Sequence, residues 1–309
     1  MTPTVTEMRE VSIAVASISA VDATVAAIFD SPGYEIQSEP DQPIAARFKS
    51  FPVGDRSIAF MEPIGSDATI SKFLARRNGA GGLFSASFAT GDIEAACDRL
   101  ARAGARVVLD KPMTLRDLRS GSTHWDAIRV NFAALAGPMR GLVIELQELH
   151  GGTPAEVTPG SDAPASLNEV HFACHDIDAA ASWLEEALGL EIGPVVKQDQ
   201  PPEEVRFRNV YTGGKPMLAL IAPATPTSTI NRFLDRRGPG MFALSASVSD
   251  CGKFTARARQ HEIRMLFDEP KIAHQTYVGP VRIDSARINW VRPSRASGDT
   301  LFEMQEFSQ

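Results

Sequence analysis

The chain has 309 residues, 43% hydrophobic and 22% charged, an ordinary globular composition with length enough for two domain cores. Its 31 basic and 38 acidic residues leave a net charge of −7 with no basic run or acidic tail, so a small molecule is the expected partner rather than nucleic acid or an anionic membrane. Cys97, Cys174 and Cys251 form no CxxC pair, and there is neither an apolar leader nor a run of about 18 apolar residues, which excludes a disulfide framework, a zinc ribbon and a membrane span and points to a cytoplasmic protein, monomer or homodimer.

The first alternating run, VSIAV from Val11, reads as a strand, and DATVAAIFD from Asp22 carries apolar residues at helical spacing. SIAFM from Ser57 is strand-like. SKFLARR from Ser71 is a short helix ending in Arg76 and Arg77, cations suited to a helix C-terminus or, alternatively, to a phosphate-bearing substrate. A Gly-rich turn leads into the strand LFSASF from Leu83, and DIEAACDRLARAGAR from Asp92 is the next helix. IRVNF, ending at Phe132, and VIELQEL, ending at Leu149, close the series. The stretch 150–166, rich in Gly, Pro, Ser and Thr and without apolar periodicity, reads as a linker.

The series then begins again, because EVHFACHDI from Glu169 matches EVSIAVASI from Glu10. DIDAAASWLEEALGL opens on Asp176, suited to N-capping, and stops at a Gly-Leu turn. NRFLDRRGPGMFALSASVS from Asn231 matches SKFLARRNGAGGLFSASFA from Ser71, which aligns Ser245 with Ser85 and Arg236 and Arg237 with the earlier Arg pair. ARINW, ending at Trp290, matches IRVNF, and LFEMQEF matches VIELQEL, pairing Glu303 with Glu145 and Gln305 with Gln147. Two similar eight-stranded units, 1–149 and 167–309, are therefore expected, with the linker outside both cores.

This order of elements, with KFLARR, a Gly-rich turn and a closing GLVIELQE, resembles the vicinal oxygen chelate superfamily of glyoxalases and methylmalonyl-CoA epimerases. The resemblance implies an α/β (α+β) fold of tandem glyoxalase-like domains, each built from two βαβββ modules, four modules in total. It also implies four metal-ligand positions per domain, which fall here at Glu10 and Glu169, Ala59 and Ala219, Ser85 and Ser245, and Glu145 and Glu303. Only the last keeps a residue type usual in the family, so the metal chemistry does not carry over and no cofactor is expected. If a divalent ion were bound, Glu169, His171 and Glu303 are the residues that would hold it.

Strand side chains alternate between faces, and placing the apolar set under the helices leaves the rest for the cleft. By that rule each cleft receives Glu10, Ser12, Ser85, Ser87, Arg129, Asn131, Glu145 and Gln147, or Glu169, His171, Ser245, Ser247, Arg287, Asn289, Glu303 and Gln305. His171 in place of Ser12 sets the copies apart. Buried carboxylates repel one another and need a cation, a shared proton or water, and Arg129 and Arg287 are expected between the paired Glu residues, as a structural network or as the floor of a ligand site. His124, His150, His175, His261 and His274 show no ligand spacing and read as surface or loop residues.

Two functions follow. One is an isomerase, epimerase or lyase moving a proton beside a carbonyl of a small or acyl-CoA-like substrate, with Glu169, His171 and Glu303 catalytic. Arg287, Asn289, Ser245 and Gln305, and their counterparts Glu10, Arg129, Asn131 and Glu145, would then bind substrate. The alternative is a protein that binds or sequesters a small molecule without reaction. A ring-cleaving dioxygenase fits less well, since Ala219 and Ser245 remove ligands from its two-His-one-carboxylate site.

Overall fold

The computed structural model describes residues 4–37, 44–66, 69–156, 160, 163–198, 204–292 and 300–307. The N-terminal half runs β1 (Glu7–Ala14), α1 (Asp22–Phe29), β2 (Tyr34–Gln37), β3 (Ala46–Val53), β4 (Arg56–Pro63), α2 (Thr69–Arg76), β5 (Gly82–Ala89), α3 (Ile93–Arg102), β6 (Arg106–Val107), β7 (Met113–Ser120), β8 (Thr123–Ala134) and β9 (Val143–Pro154). The C-terminal half repeats it as β10 (Ser166–Ala173), α4 (Ile177–Leu188), β11 (Glu191–Ile192), β12 (Val196–Gln198), β13 (Val205–Thr212), β14 (Lys215–Pro223), α5 (Thr229–Arg237), β15 (Gly240–Ser247), α6 (Cys251–Gln260), β16 (Lys271–Val278), β17 (Val281–Val291) and β18 (Leu301–Phe307).

Each half is one curled mixed sheet. The first has the order β2-β3-β4-β1-β5-β9-β8-β6 with β7 also on β8, and the second β11-β13-β14-β10-β15-β18-β17-β16 with β12 also on β13. Two modules meet in each sheet where β1 pairs antiparallel with β5, or β10 with β15, flanked by the parallel pairs β1–β4 and β5–β9, or β10–β14 and β15–β18. Four βαβββ modules are present, as expected. Among the described residues each sheet has nine strands rather than eight, the two-residue β6 and β11 being the additions.

Asp92, Asp176 and Asp250 cap α3, α4 and α6 by accepting from backbone N–H groups of the first turn, at 2.9–3.0 Å, and α4 ends on Gly189 at φ +69°. These helices and α1 cover the convex faces of both sheets, whereas α2 and α5 pack on the concave side over Met61 and Phe84, or Ile221 and Phe242.

The expectation of two cores is corrected by the packing between the halves. One continuous apolar cluster takes in the convex faces of both sheets and α1, α3, α4 and α6. Phe29 of α1 stacks edge-on against Phe302 of β18 at 5.9 Å, Trp183 donates from its indole to Ala103 O, and Arg99 donates to Glu186 O. At Gly141, φ +101°, any side chain would run into Pro239 O of the other half, 2.1 Å from the Cβ position, so only glycine fits this contact. The linker boundary also moves. β9 stays paired with β8 as far as Pro154, opposite Thr123, so 150–154 belong to the first sheet; 157–159 and 161–162 lie outside the described residues. Among the described residues no helix is long and apolar enough to cross a membrane.

Arg56, at the hairpin between β3 and β4, is 5% exposed and fastens the halves together. Its Nη1 donates to Leu167 O at 2.8 Å and Asn168 O at 2.7 Å, and its Nη2 to Pro216 O at 3.0 Å. Replacing it leaves three carbonyl acceptors without this donor, two of them in fully buried bonds. Arg56→Met is therefore expected to lower the free energy of unfolding by about 3 kcal/mol, within the range for breaking a buried charged hydrogen-bond set. Urea denaturation measures this, and a loss below about 0.5 kcal/mol, the scale of a surface substitution, would contradict the role assigned to Arg56.

Candidate functional site

The first strand of each half carries a bulge directly before its glutamate. Arg9 is the extra residue between the pairs Met8–Phe88 and Glu10–Ser87, and Asn168 the extra one between Leu167–Ala246 and Glu169–Ser245. Directly opposed residues share a face, so the registers define each concave row. In the C-terminal half Glu169 faces Ser245, Ser245 lies beside Glu303, and Glu303 faces Trp290, with Ile288 opposite Gln305. The N-terminal row is Glu10, Ser87, Glu145 and Phe132, with Val130 opposite Gln147.

Two expectations are corrected here. The counterpart of Ser245 is Ser87, not Ser85, because the turn from Arg77 to Gly82 is two residues longer than that from Arg237 to Gly240. Arg129, Asn131, Arg287 and Asn289 lie on the convex face instead of in the clefts. Arg129 pairs with Glu94 of α3 and with Glu148 at 3.2 Å, while Arg287 pairs with Glu306 at 3.0 Å. Glu148 and Glu306, which sequence reasoning missed, also accept from the first N–H groups of α3 and α6, at Ile93 and Cys251. Asn131 brackets both backbone groups of Leu109, and Asn289 those of Phe267. The repeated R-x-N residues, with Glu148 and Glu306, thus tie helices and loops to the back of each sheet, and among the described residues no guanidinium stands between the cleft glutamates.

The clefts also differ in how they treat their carboxyl groups. In the N-terminal one Glu10 accepts from Ser57 at 2.6 Å and Ser50 at 3.4 Å, and Glu145 accepts from Ser87 at 3.2 Å and Gln147 at 2.8 Å. Ile44 packs against both apolar clusters of that concave face, bridging the space between α2 and β8. Burial still raises both carboxyls, Glu145 to about 7.

The C-terminal cleft is open, a cavity of about 510 Å³ with Glu169, His171, Glu303 and Gln305 at its floor and Phe207, Phe242, Ile288 and Trp290 among its walls. Met217 and Ala243 occupy the positions of Ser57 and Ser85, so the hydroxyl that serves Glu10 at 2.6 Å has no counterpart for Glu169. His171 Nε2 lies 3.6 Å from Glu303 Oε2 and 3.9 Å from Glu169 Oε1, too far for hydrogen bonds. Both imidazole nitrogens, Glu169 Oε2 and the Trp290 indole N–H are buried without a hydrogen-bond partner. His171 stands edge-on to the rings of Phe242 and Trp290, each at 5.9 Å.

Desolvation sets the protonation of this floor: it pushes the Glu169 carboxyl up to about 8, against the opposing pull of Arg56, and the His171 imidazole down to about 4. At neutral pH Glu169 is mostly a neutral acid and His171 a neutral imidazole. Ser245 is fully buried and its hydroxyl turns to Glu169 O at 3.5 Å; Gln305 accepts from Asn168 at 2.9 Å. His274 is exposed, as expected, and lines the cavity from β16 together with Tyr277. Arg77 and Arg237, at the ends of α2 and α5, stack over Phe73 and Phe233.

The donor set does not fit the family's metal. Ala219 and Ala243 offer methyl groups beside His171, and among the described residues no group of three His, Cys, Asp or Glu is arranged to hold an ion.

Comparison with known proteins extends these observations. The family described as Glyoxalase/Bleomycin resistance protein/Dioxygenase superfamily matches residues 168–279. The chain is 28% identical over 152 residues to the mitochondrial methylmalonyl-CoA epimerase of Mus musculus, covering 46% of this chain and 84% of that protein. It is 35% identical over 105 residues to the ethylmalonyl-CoA/methylmalonyl-CoA epimerase of Cereibacter sphaeroides, covering 33% of this chain and 73% of that one. A mutant 4-hydroxymandelate synthase from Streptomyces coelicolor superposes over 99% of this chain and 93% of its own with a TM-score of 0.73; at 13% identity this shows a shared tandem fold.

The floor's protonation has a consequence for stability. Glu169, raised to about 8 from an ordinary 4.5, keeps its proton where the unfolded chain has lost it, so its contribution is full below about pH 4.5 and falls as pH rises toward about 8. His171, lowered to about 4 from 6.5, acts oppositely and loses stability as pH falls from about 6.5 to 4. The slopes oppose each other between about pH 4.5 and 6.5, and Glu145 stops contributing above about 7, so Glu169 contributes a fall between about pH 7 and 8 that its own substitution isolates from that of Glu10, also raised by burial. Urea unfolding at both ends of that window should show Glu169→Gln flattening it; an undiminished fall in the variant would contradict the assignment.

Proposed function

This chain belongs to the glyoxalase, bleomycin resistance protein and dioxygenase superfamily, the vicinal oxygen chelate proteins, and on that premise we propose that its C-terminal cavity moves a proton at a carbon beside a carbonyl group. The observation that carries this reading is the floor: two carboxyl groups flanking a neutral imidazole at the base of an open cavity, with Glu169 Oε2, both imidazole nitrogens and the Trp290 indole N–H buried without hydrogen-bond partners. Unsatisfied buried polar atoms are costly and call for a partner, which a bound ligand supplies. The N-terminal cleft, with serine and glutamine partners for its glutamates and Ile44 across it, has a structural role in this account.

Proton transfer of this kind needs one group that takes a proton and another that holds one. Glu169, raised to about 8, holds a proton at neutral pH. Glu303, on the other side of His171, takes the substrate proton, and Glu169 meets the developing enolate or returns a proton from the opposite side. His171, neutral across the physiological range, offers one N–H to the carbonyl oxygen. Isomerisation, epimerisation and elimination all share the first of these steps. The reaction is read as metal-free because the donor set lacks the family's other ligands, and Arg287 and Asn289, bound to the back of the sheet, take no part in it.

Binding without turnover is the competing reading, and mutation separates the two. Once a substrate is found among carbonyl compounds, Glu303→Gln is expected to lower kcat by about two to four orders of magnitude, and His171→Ala by about tenfold to a thousandfold, with little change in ligand affinity. Glu145→Gln should leave kcat within about threefold, since no step is assigned to that cleft. Loss of activity in Glu145→Gln with retention in Glu303→Gln would place the chemistry in the wrong half.

A further inference from the structure

The floor and the rim of the C-terminal cavity differ in charge. Two carboxyl groups, Glu169 and Glu303, face the floor beside His171, whereas the lining cations, Lys197 and Arg292, are exposed at the outer edge. Arg56, the positive charge nearest in effect to Glu169, does not line the cavity, and its Nη1 and Nη2 are bonded to the carbonyls of Leu167, Asn168 and Pro216. The walls between floor and rim are aromatic or branched, with Phe207, Phe242, Trp290, Ile221 and Ile288 most prominent. A carboxylate reaching the floor would give up its water, gain no cation there and stand against Glu303, the base of the proposed mechanism, a cost that hydrogen bonds from His171 and the neutral Glu169 do not offset. A carbonyl, enol or amide oxygen meets none of that repulsion and satisfies the orphaned donors.

We propose that this cavity takes a neutral carbonyl compound with an aromatic or similarly bulky apolar body, reacting end first, and rejects malonyl-type acyl groups whose reacting end carries a carboxylate. The inference rests on reading the cavity as the active site and adds the substrate class. The cavity's 510 Å³ suits a ligand of one or two rings, since sites of about 300–1,000 Å³ hold drug-sized molecules. An anionic tail, if the ligand has one, meets Lys197 or Arg292 at the rim and not the floor.

Phenylacetone and phenylmalonate share a ring and differ in the charge of the head, so they isolate the claim. In a ligand-observed NMR titration of the full chain near pH 7, phenylacetone is expected to bind at least about tenfold more tightly than phenylmalonate or methylmalonate. Ala219→Leu and Ile288→Trp, which fill the cavity from different strands, should each weaken phenylacetone by about tenfold or more. The proposal is overturned if either dicarboxylate binds as tightly as phenylacetone, or if phenylacetone fails to saturate the protein at about 10 mM, where a ligand with Kd of about 1 mM is nearly saturated. Equal binding of phenylacetone to the parent and to a filled variant that keeps the parent's circular dichroism also overturns it. Deuterium uptake from heavy water at the phenylacetone methylene, compared with Glu303→Gln, reports on proton transfer separately. Tight binding without enzyme-dependent uptake removes the catalytic reading and leaves the ligand class standing.

Discussion

A carboxyl group removed from water must find hydrogen-bond donors or a cation, or else keep its proton, and the two halves of this chain meet that constraint differently. Both sheets place a pair of glutamates across the seam where their modules join. In the N-terminal half serine hydroxyls and a glutamine amide close around the pair. In the C-terminal half Met217 stands where Ser57 serves Glu10, His171 stands between the carboxyls without bonding to either, and the space above stays open. One fold has thus produced hydrogen-bonded carboxyls in one place and, in the other, a floor where Glu169 Oε2 and both His171 nitrogens are buried without partners. The second is where a ligand gains most.

The unsatisfied floor depends on rigid surroundings. A mobile strand would relax toward its own hydrogen bonds, and β10 is held against this from behind. Arg56 of the N-terminal half fixes the carbonyls of Leu167 and Asn168 beside the bulge that presents Glu169, and Asn168 itself bonds to Gln305. On β17 and β18 the Arg287–Glu306 pair and the Asn289 bracket secure the back of the strands whose fronts carry Trp290 and Glu303. The N-terminal half therefore contributes to the C-terminal cavity through a shared core and a buried guanidinium.

Much of this arrangement was legible in the sequence: the repeat, the capped helices, the cleft-facing Glu10 and Glu169, and the Glu and Gln of the closing strands. The failures have physical causes. Alternation shows that β8 and β17 have two unlike faces but not which one is concave, and the rule that apolar side chains lie under helices fails here because the concave face is itself apolar, with Val130 and Phe132 or Ile288 and Trp290 upon it. Antiparallel pairing with β9 and β18 fixes the orientation, and sequence does not reveal register. Aligning Ser85 with Ser245 was a silent error, since a slip of two residues keeps every side chain on its own face. The cavity was not legible at all, because its walls, Phe207, Phe242, Ile288 and Trp290, are brought together from strands distant in the chain.

The claim on which the account turns is that the Glu169 carboxyl, buried without a donor, keeps its proton at neutral pH. Carbon-13 NMR of glutamate side-chain carboxyls, titrated in the parent chain and in Glu169→Gln, measures this directly. The account requires a carboxyl titrating near 8 that vanishes in the variant, with another near 7 that remains and belongs to Glu145. A parent spectrum in which every glutamate has lost its proton by about pH 6 would contradict it, since burial would then not be governing the floor.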